Sequence, residues 1–166
     1  MRLTETLRLP LSPDEAARMY ADPGYAEIRG RVLGAREASA AVSDGPGGAF
    51  VTTTTLVMPT DQVPDVVRPF VGASVTVIET QEWEPASGSE RHGRIRFEVL
   101  GAPASMSGTL LLRAAEGGCT VAIEGDVRAD VPLLGRRIEK AALPYVSTVL
   151  RHEERAAAQW AAEHDG

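Results

Sequence analysis

Along the last thirty-odd residues of the chain, apolar and polar positions alternate at helical spacing. Leu134, Ile138, Ala142, Tyr145, Val149, His152, Ala156 and Trp160 follow one another at steps of three and four, while Arg136, Lys140, Arg151, Glu154, Arg155 and Glu163 fall elsewhere. Residues 131–164 therefore read as one long amphipathic helix with a single apolar stripe. A helix about eight turns long needs a partner surface of similar length, and only a sheet built from the middle of the chain supplies one. Pro144 lacks the N–H that would bond back to Lys140, which predicts a kink or bulge there. Gly135 weakens the first turn, as expected where backbone must approach a strand or a ligand closely.

The rest of the chain changes period twice. Residues 2–10 alternate, with Leu3, Leu7 and Leu9 on one side, Thr4, Thr6 and Arg8 on the other and Glu5 as the exception, which reads as a strand. Ser12-Pro13-Asp14-Glu15 is a capping box with proline at the first helical position, so a short helix follows and ends by Asp22-Pro23. A second short helix over 25–32 places Ile28 and Val32 inward and closes at Gly34. From Ala35 to Asp130 the spacing is that of antiparallel strands: 35–42, 49–58, 73–84, 91–100, 105–115 and 119–128. They are separated by loops rich in glycine and proline and by a connector over 59–70. The expected class is α+β: about seven antiparallel strands wrapped around the long C-terminal helix, with two short helices after the first strand. Residues 1–166 are expected to form a single domain.

Alternation also assigns faces. Ile95, Phe97 and Val99 alternate with Arg94, Arg96 and Glu98, and Cys119, Val121, Ile123 and Val127 alternate with Thr120, Glu124, Asp126 and Arg128. Residues 73–84 admit two registers. One turns Glu79 and Gln81 inward with Val75, Val77 and Trp83, leaving Glu82 to meet Arg94 or Arg96; the other turns Ile78 inward and Glu79 to solvent.

Composition narrows the classes. A chain of 166 residues can bury about 70% of its unfolded surface and needs no disulfide staples. Its one cysteine, Cys119, excludes an internal disulfide, reads as a small buried hydrophobe and suits a reducing, cytoplasmic setting. A formal charge of −6 with few aromatics speaks against nucleic acid as a partner. No apolar run reaches the length of a membrane-spanning helix, and the charged N-terminus is unlike a signal peptide.

Motifs for catalysis are sparse. Asp44-Gly45-Pro46-Gly47-Gly48 lacks the Lys-Ser/Thr pair and following helix of a phosphate loop and reads as a hairpin turn. His152-Glu153-Glu154 has no second histidine at helical spacing, so no metal site is expected. No nucleophile elbow appears. Neither catalytic residues nor a cofactor are assigned.

The order of elements, with Phe70-Val71-Gly72, Thr80-Gln81-Glu82-Trp83, Gly101-Ala102-Pro103-Ala104-Ser105 and the run Val131 to Glu139, resembles a bacterial family of unknown function within the START-like helix-grip superfamily, which includes polyketide cyclases and lipid carriers. The resemblance implies an internal cavity for an apolar ligand and no particular reaction.

Three functions are compatible with these features. The first is binding or carriage of a small apolar or lipid-like molecule between sheet and C-terminal helix. Ile95, Phe97, Val121, Ile123, Ile138, Ala142 and Val149 would form its apolar wall and Gln81, Tyr145 and His152 its polar contacts. The second is cyclase or dehydratase chemistry in the same space, with Glu79 as base and Tyr145 or His152 as acid. It requires two or more titratable groups converging on one pocket. The third is an interaction module with a filled core; a space under roughly 300 Å³ would not house a drug-sized ligand. The partner expected on the first reading is a small apolar or amphipathic molecule.

Overall fold

The computed structural model describes residues 1–61 and 63–164. Strand β1 (Arg2–Leu9) leads into α1 (Pro13–Tyr20) and α2 (Tyr25–Leu33). Six strands follow, β2 (Glu37–Asp44), β3 (Phe50–Pro59), β4 (Ser74–Trp83), β5 (Glu90–Val99), β6 (Ala104–Ala115) and β7 (Gly118–Ala129), and then α3 (Gly135–His164). All neighbours pair antiparallel in the order β1-β7-β6-β5-β4-β3-β2, an open sheet whose inner face carries α3. This is the expected α+β helix-grip arrangement.

Local chemistry explains the boundaries. The Ser12 hydroxyl accepts from the Glu15 N–H at 3.2 Å while the Glu15 carboxylate accepts from the Ser12 N–H at 3.1 Å, which satisfies two orphan donors at the start of α1. Gly34 closes α2 in the left-handed region at φ 73°. In β1, Leu3, Leu7 and Leu9 are buried, and Glu5 on the same face is met by Arg151 of α3 at 3.0 Å. Val75, Glu79, Gln81 and Trp83 of β4 are buried, so the register that turns Glu79 and Gln81 inward is the one adopted; Glu82, on the outer face, pairs with Arg94.

The helix departs from its expected form in two ways. Residues 131–134 are a turn and not its first turn, with Leu133 at φ 67°, a conformation that costs a leucine roughly 1–2 kcal/mol. Gly135 then opens α3 because a Cβ there would lie 2.6 Å from the Ala129 carbonyl oxygen. Its lack of side chain serves helix–strand approach and leaves no room for ligand. Pro144 lies within α3, and its carbonyl accepts from the Thr148 hydroxyl at 2.9 Å.

In its second half α3 buries Ala156 and Trp160 of the expected stripe, but Leu150 and Glu153 in place of their neighbours Val149 and His152. Leu150, Glu153, Ala156, Ala157 and Trp160 are buried, whereas Tyr145, Val149 and His152 are half-buried and Leu134 is exposed. Leu150→Ala is accordingly expected to cost about 2–5 kcal/mol in chemical denaturation, and Val149→Ala at most about 1 kcal/mol. Equal costs would put the buried face back on the expected stripe.

Candidate functional site: an apolar cavity with a polar mouth

The core divides into two clusters. The larger joins β1 and β3 to β7 with α1, α2 and the second half of α3; the smaller comprises Leu56, Met58, Val63 and Val75, with Leu33, Val67, Val71 and Val99 packed on it. Between them lies a cavity of about 110 Å³. Its floor is Phe97, Met106 and Val127 of the sheet, its roof is Ile138, Ala142, Tyr145, Val146 and Val149 of α3, and its outer wall is Val63, Pro64, Val67 and Val71 of the connector between β3 and β4. Small side chains on α3 and the detour of the connector keep the two clusters apart. Tyr145 is the one titratable group among the described lining residues.

Leu33, Met58, Pro64, Tyr145 and Val149 also line a neighbouring open groove of about 520 Å³. Asp61, Thr148 and His152 stand along that groove. Burial, reinforced by the negative charge of Asp61, raises the pKa of Tyr145, so its hydroxyl is a neutral donor where groove and cavity meet. His152 Nδ1 lies 2.6 Å from the Thr148 carbonyl oxygen. Since a carbonyl only accepts, Nδ1 carries a proton in this contact and Nε2 faces away from it. The arrangement offers an apolar chamber, a donor at its threshold and a polar groove outside.

Of the residues singled out from the sequence, Phe97, Ile138, Ala142, Tyr145 and Val149 line the chamber and His152 lines the groove. Ile95, Val121 and Ile123 point inward as expected but are packed in the larger cluster and do not reach the cavity. Alternation fixes which face a residue lies on, and not how closely the opposing helix approaches it. The sequence reading missed the connector wall, although Val63 and Val67 stand four residues apart within it.

Gln81 belongs to a second feature, a buried polar network. Arg29 of α2 forks onto Glu79 of β4, Nη1 to Oε1 at 2.7 Å and Nη2 to Oε2 at 2.9 Å; Gln81 donates to the same carboxylate at 3.1 Å and Trp83 donates to Gln81 at 2.9 Å. Beside it, Glu153 of α3 accepts from the Tyr25 hydroxyl at 3.3 Å. Arg29, Glu79 and Glu153 are each 2–3% exposed, and the crevice next to them holds only about 10 Å³. Glu79 is thereby committed to an ion pair in a space too small for a substrate, which removes the base from the cyclase reading. An inward Glu79 did signal the need for a buried cation; nothing in the local sequence marked Arg29 as its partner.

Burial raises the pKa of Glu153 to about 7, with the Arg29 charge opposing and the Glu79 charge adding to the rise. The folded state then binds this proton more tightly than the unfolded chain between the ordinary carboxylate value of 4.5 and about 7. Stability should therefore fall as pH rises through that window and level off above it. Glu153→Gln is expected to flatten the fall and to be more stable than wild type at pH 8, by on the order of 2 kcal/mol, with little difference at pH 4. Parallel thermal-melting profiles for the two proteins would show that Glu153 is not the titrating group.

Among the described residues no group of three or more His, Cys, Asp or Glu side chains is placed to hold a metal ion, and no helix is long and apolar enough to cross a membrane. Burial pushes the Cys119 thiol up to about 11.

Comparison with known proteins is consistent with the geometry. A family model described as "Protein of unknown function (DUF2505)" matches residues 4–161. No curated protein matches the sequence. Among solved structures, the fold is similar to that of TTHA0849 from Thermus thermophilus, with 17% identity, a TM-score of 0.61, and 96% of this chain and 98% of that one covered. It is also similar to Ara h 8.0201, with 14% identity, a TM-score of 0.54, and again 96% and 98% covered. At such identities the likeness is one of fold.

Proposed function

The chain belongs to the DUF2505 family, and we propose that it binds a small apolar or amphipathic molecule in the chamber between α3 and the sheet, with the ligand's polar end in the groove beside Tyr145 and His152. The observation that carries this reading is the split core. A packed domain of this size would close two adjoining apolar clusters on each other, yet here a space walled by Val, Leu, Met, Ile and Phe side chains separates them. An apolar void of similar size, roughly 150 Å³, stays dry and admits benzene. The chamber alone is below the roughly 300 Å³ of a pocket for a drug-sized ligand, so a longer molecule must extend into the groove or displace the connector. The likeness of the fold to the START-like superfamily supports the same reading.

Native mass spectrometry of purified protein tests it. A co-purifying adduct of small mass, released on denaturation and extractable into organic solvent, is the expected result. An unadducted chain that also fails to take up short-chain alcohols or fatty acids would count against it.

A further inference from the structure

We propose that the end of the molecule bearing Leu100, Leu133 and Leu134 docks onto the surface of an anionic lipid bilayer; the role this gives the cavity rests on the ligand-binding reading above. Leu100 is 52% exposed, Leu134 38% and Leu133 wholly exposed, and these are the large hydrophobic side chains that the described surface leaves out of the core. They do not lie scattered. Leu100 sits in the turn between β5 and β6, Leu133 and Leu134 in the turn between β7 and α3, and the two turns are joined by the Asp130 N–H bond to the Pro103 carbonyl at 2.8 Å.

A second observation is independent of exposure. Leu133 is held at φ 67°, a backbone position suited to glycine or asparagine, with its side chain projected wholly into solvent. The chain thus accepts both backbone strain and apolar exposure at one residue, a combination that points to a role outside folding.

Charge identifies the partner. Arg128, Arg136, Arg137 and Lys140 are exposed around the same end, and none of them makes a salt bridge among the described residues, whereas Arg94, Arg96, Arg113 and Arg151 are paired. Of the two acids in this run, Glu139 is turned back to the Ala129 N–H and the Met1 nitrogen, leaving Asp130 as the exposed one. A chain of net charge −6 thus sets four cations without a salt-bridge partner among the described residues beside its apolar tip. Apolar side chains ringed by basic ones suit the boundary between headgroups and acyl chains of an anionic leaflet. Behind the tip, Val99, Ala102, Ala104, Ser105 and Ile138 are cavity walls, so docking would bring the chamber against the bilayer.

The test is co-sedimentation of the full chain with phosphatidylcholine vesicles, with and without phosphatidylglycerol, at low and high salt. Wild type is expected to bind the phosphatidylglycerol vesicles about tenfold more tightly than the neutral ones and to be released by salt. Leu133→Gly, which suits the left-handed backbone and should melt no lower than wild type, is expected to bind about tenfold more weakly. Arg136→Gln with Arg137→Gln should abolish the preference for phosphatidylglycerol. No binding by wild type, undiminished binding by Leu133→Gly, or a lipid-independent dimer that Leu133→Gly disrupts would each overturn the proposal. Uptake of N-phenyl-1-naphthylamine without vesicles separates the two ideas: dye uptake without vesicle binding refutes docking alone, and vesicle binding without dye uptake refutes the chamber alone.

Discussion

Replacing Arg29 by methionine is expected to lower the stability of the fold by about 3–5 kcal/mol. The guanidinium makes both hydrogen bonds of a fork onto Glu79, and both side chains are almost wholly out of solvent. Removing it strands a buried carboxylate whose remaining donor is the Gln81 amide. The pair itself contributes far less than that loss suggests, because taking two charges out of water offsets most of their attraction. The double variant Arg29→Met with Glu79→Met should therefore recover most of the lost stability. Chemical denaturation of the three proteins checks this, and a double variant as unstable as Arg29→Met would mean that the network holds α2 to the sheet by more than charge compensation.

Ala142→Phe is expected to weaken uptake of N-phenyl-1-naphthylamine at least tenfold while lowering stability by less than about 1 kcal/mol. Ala142 is half-buried on α3 and lines the chamber with Ile138 and Val146. A phenyl group added there enters about 110 Å³ of empty space, where it gains contacts without displacing packed atoms. The same substitution at Ala157, which is fully buried in the larger cluster, has no void to enter and should be strongly destabilising. If both variants unfold the protein, the space beside Ala142 is not a cavity; if Ala142→Phe folds and still takes up dye, the dye binds elsewhere.

Much of the fold was legible because its signals are local. The Ser12 to Glu15 capping box, the left-handed Gly34 and the Arg-Ile-Arg-Phe-Glu-Val alternation of β5 each specify a conformation within a few residues. The inner wall of the site was half legible. Helical spacing placed Ile138, Ala142, Tyr145 and Val149 on one face, and all four line the chamber. Beyond Val149 the same spacing put His152 where Glu153 is buried, because a lone carboxylate looks like a surface residue until Tyr25 and Arg29 are known to stand beside it. That is information about three elements distant in sequence. The chamber's outer wall was illegible for a related reason: the connector has no period, so only its packing against β3 and β4 shows Val63 and Val67 to be structural.

The claim that the chamber takes an apolar guest is tested most directly by following methyl resonances of the protein during titration with decanoic acid. Saturable shifts confined to Leu33, Val67, Val71, Ile138 and Val146, which line the space between the two clusters, are the predicted result. Methyls of Leu7, Leu112 and Ile123 in the packed cluster should stay in place. No saturable shift at the lining residues, or shifts as large in the packed cluster as around the chamber, would contradict it.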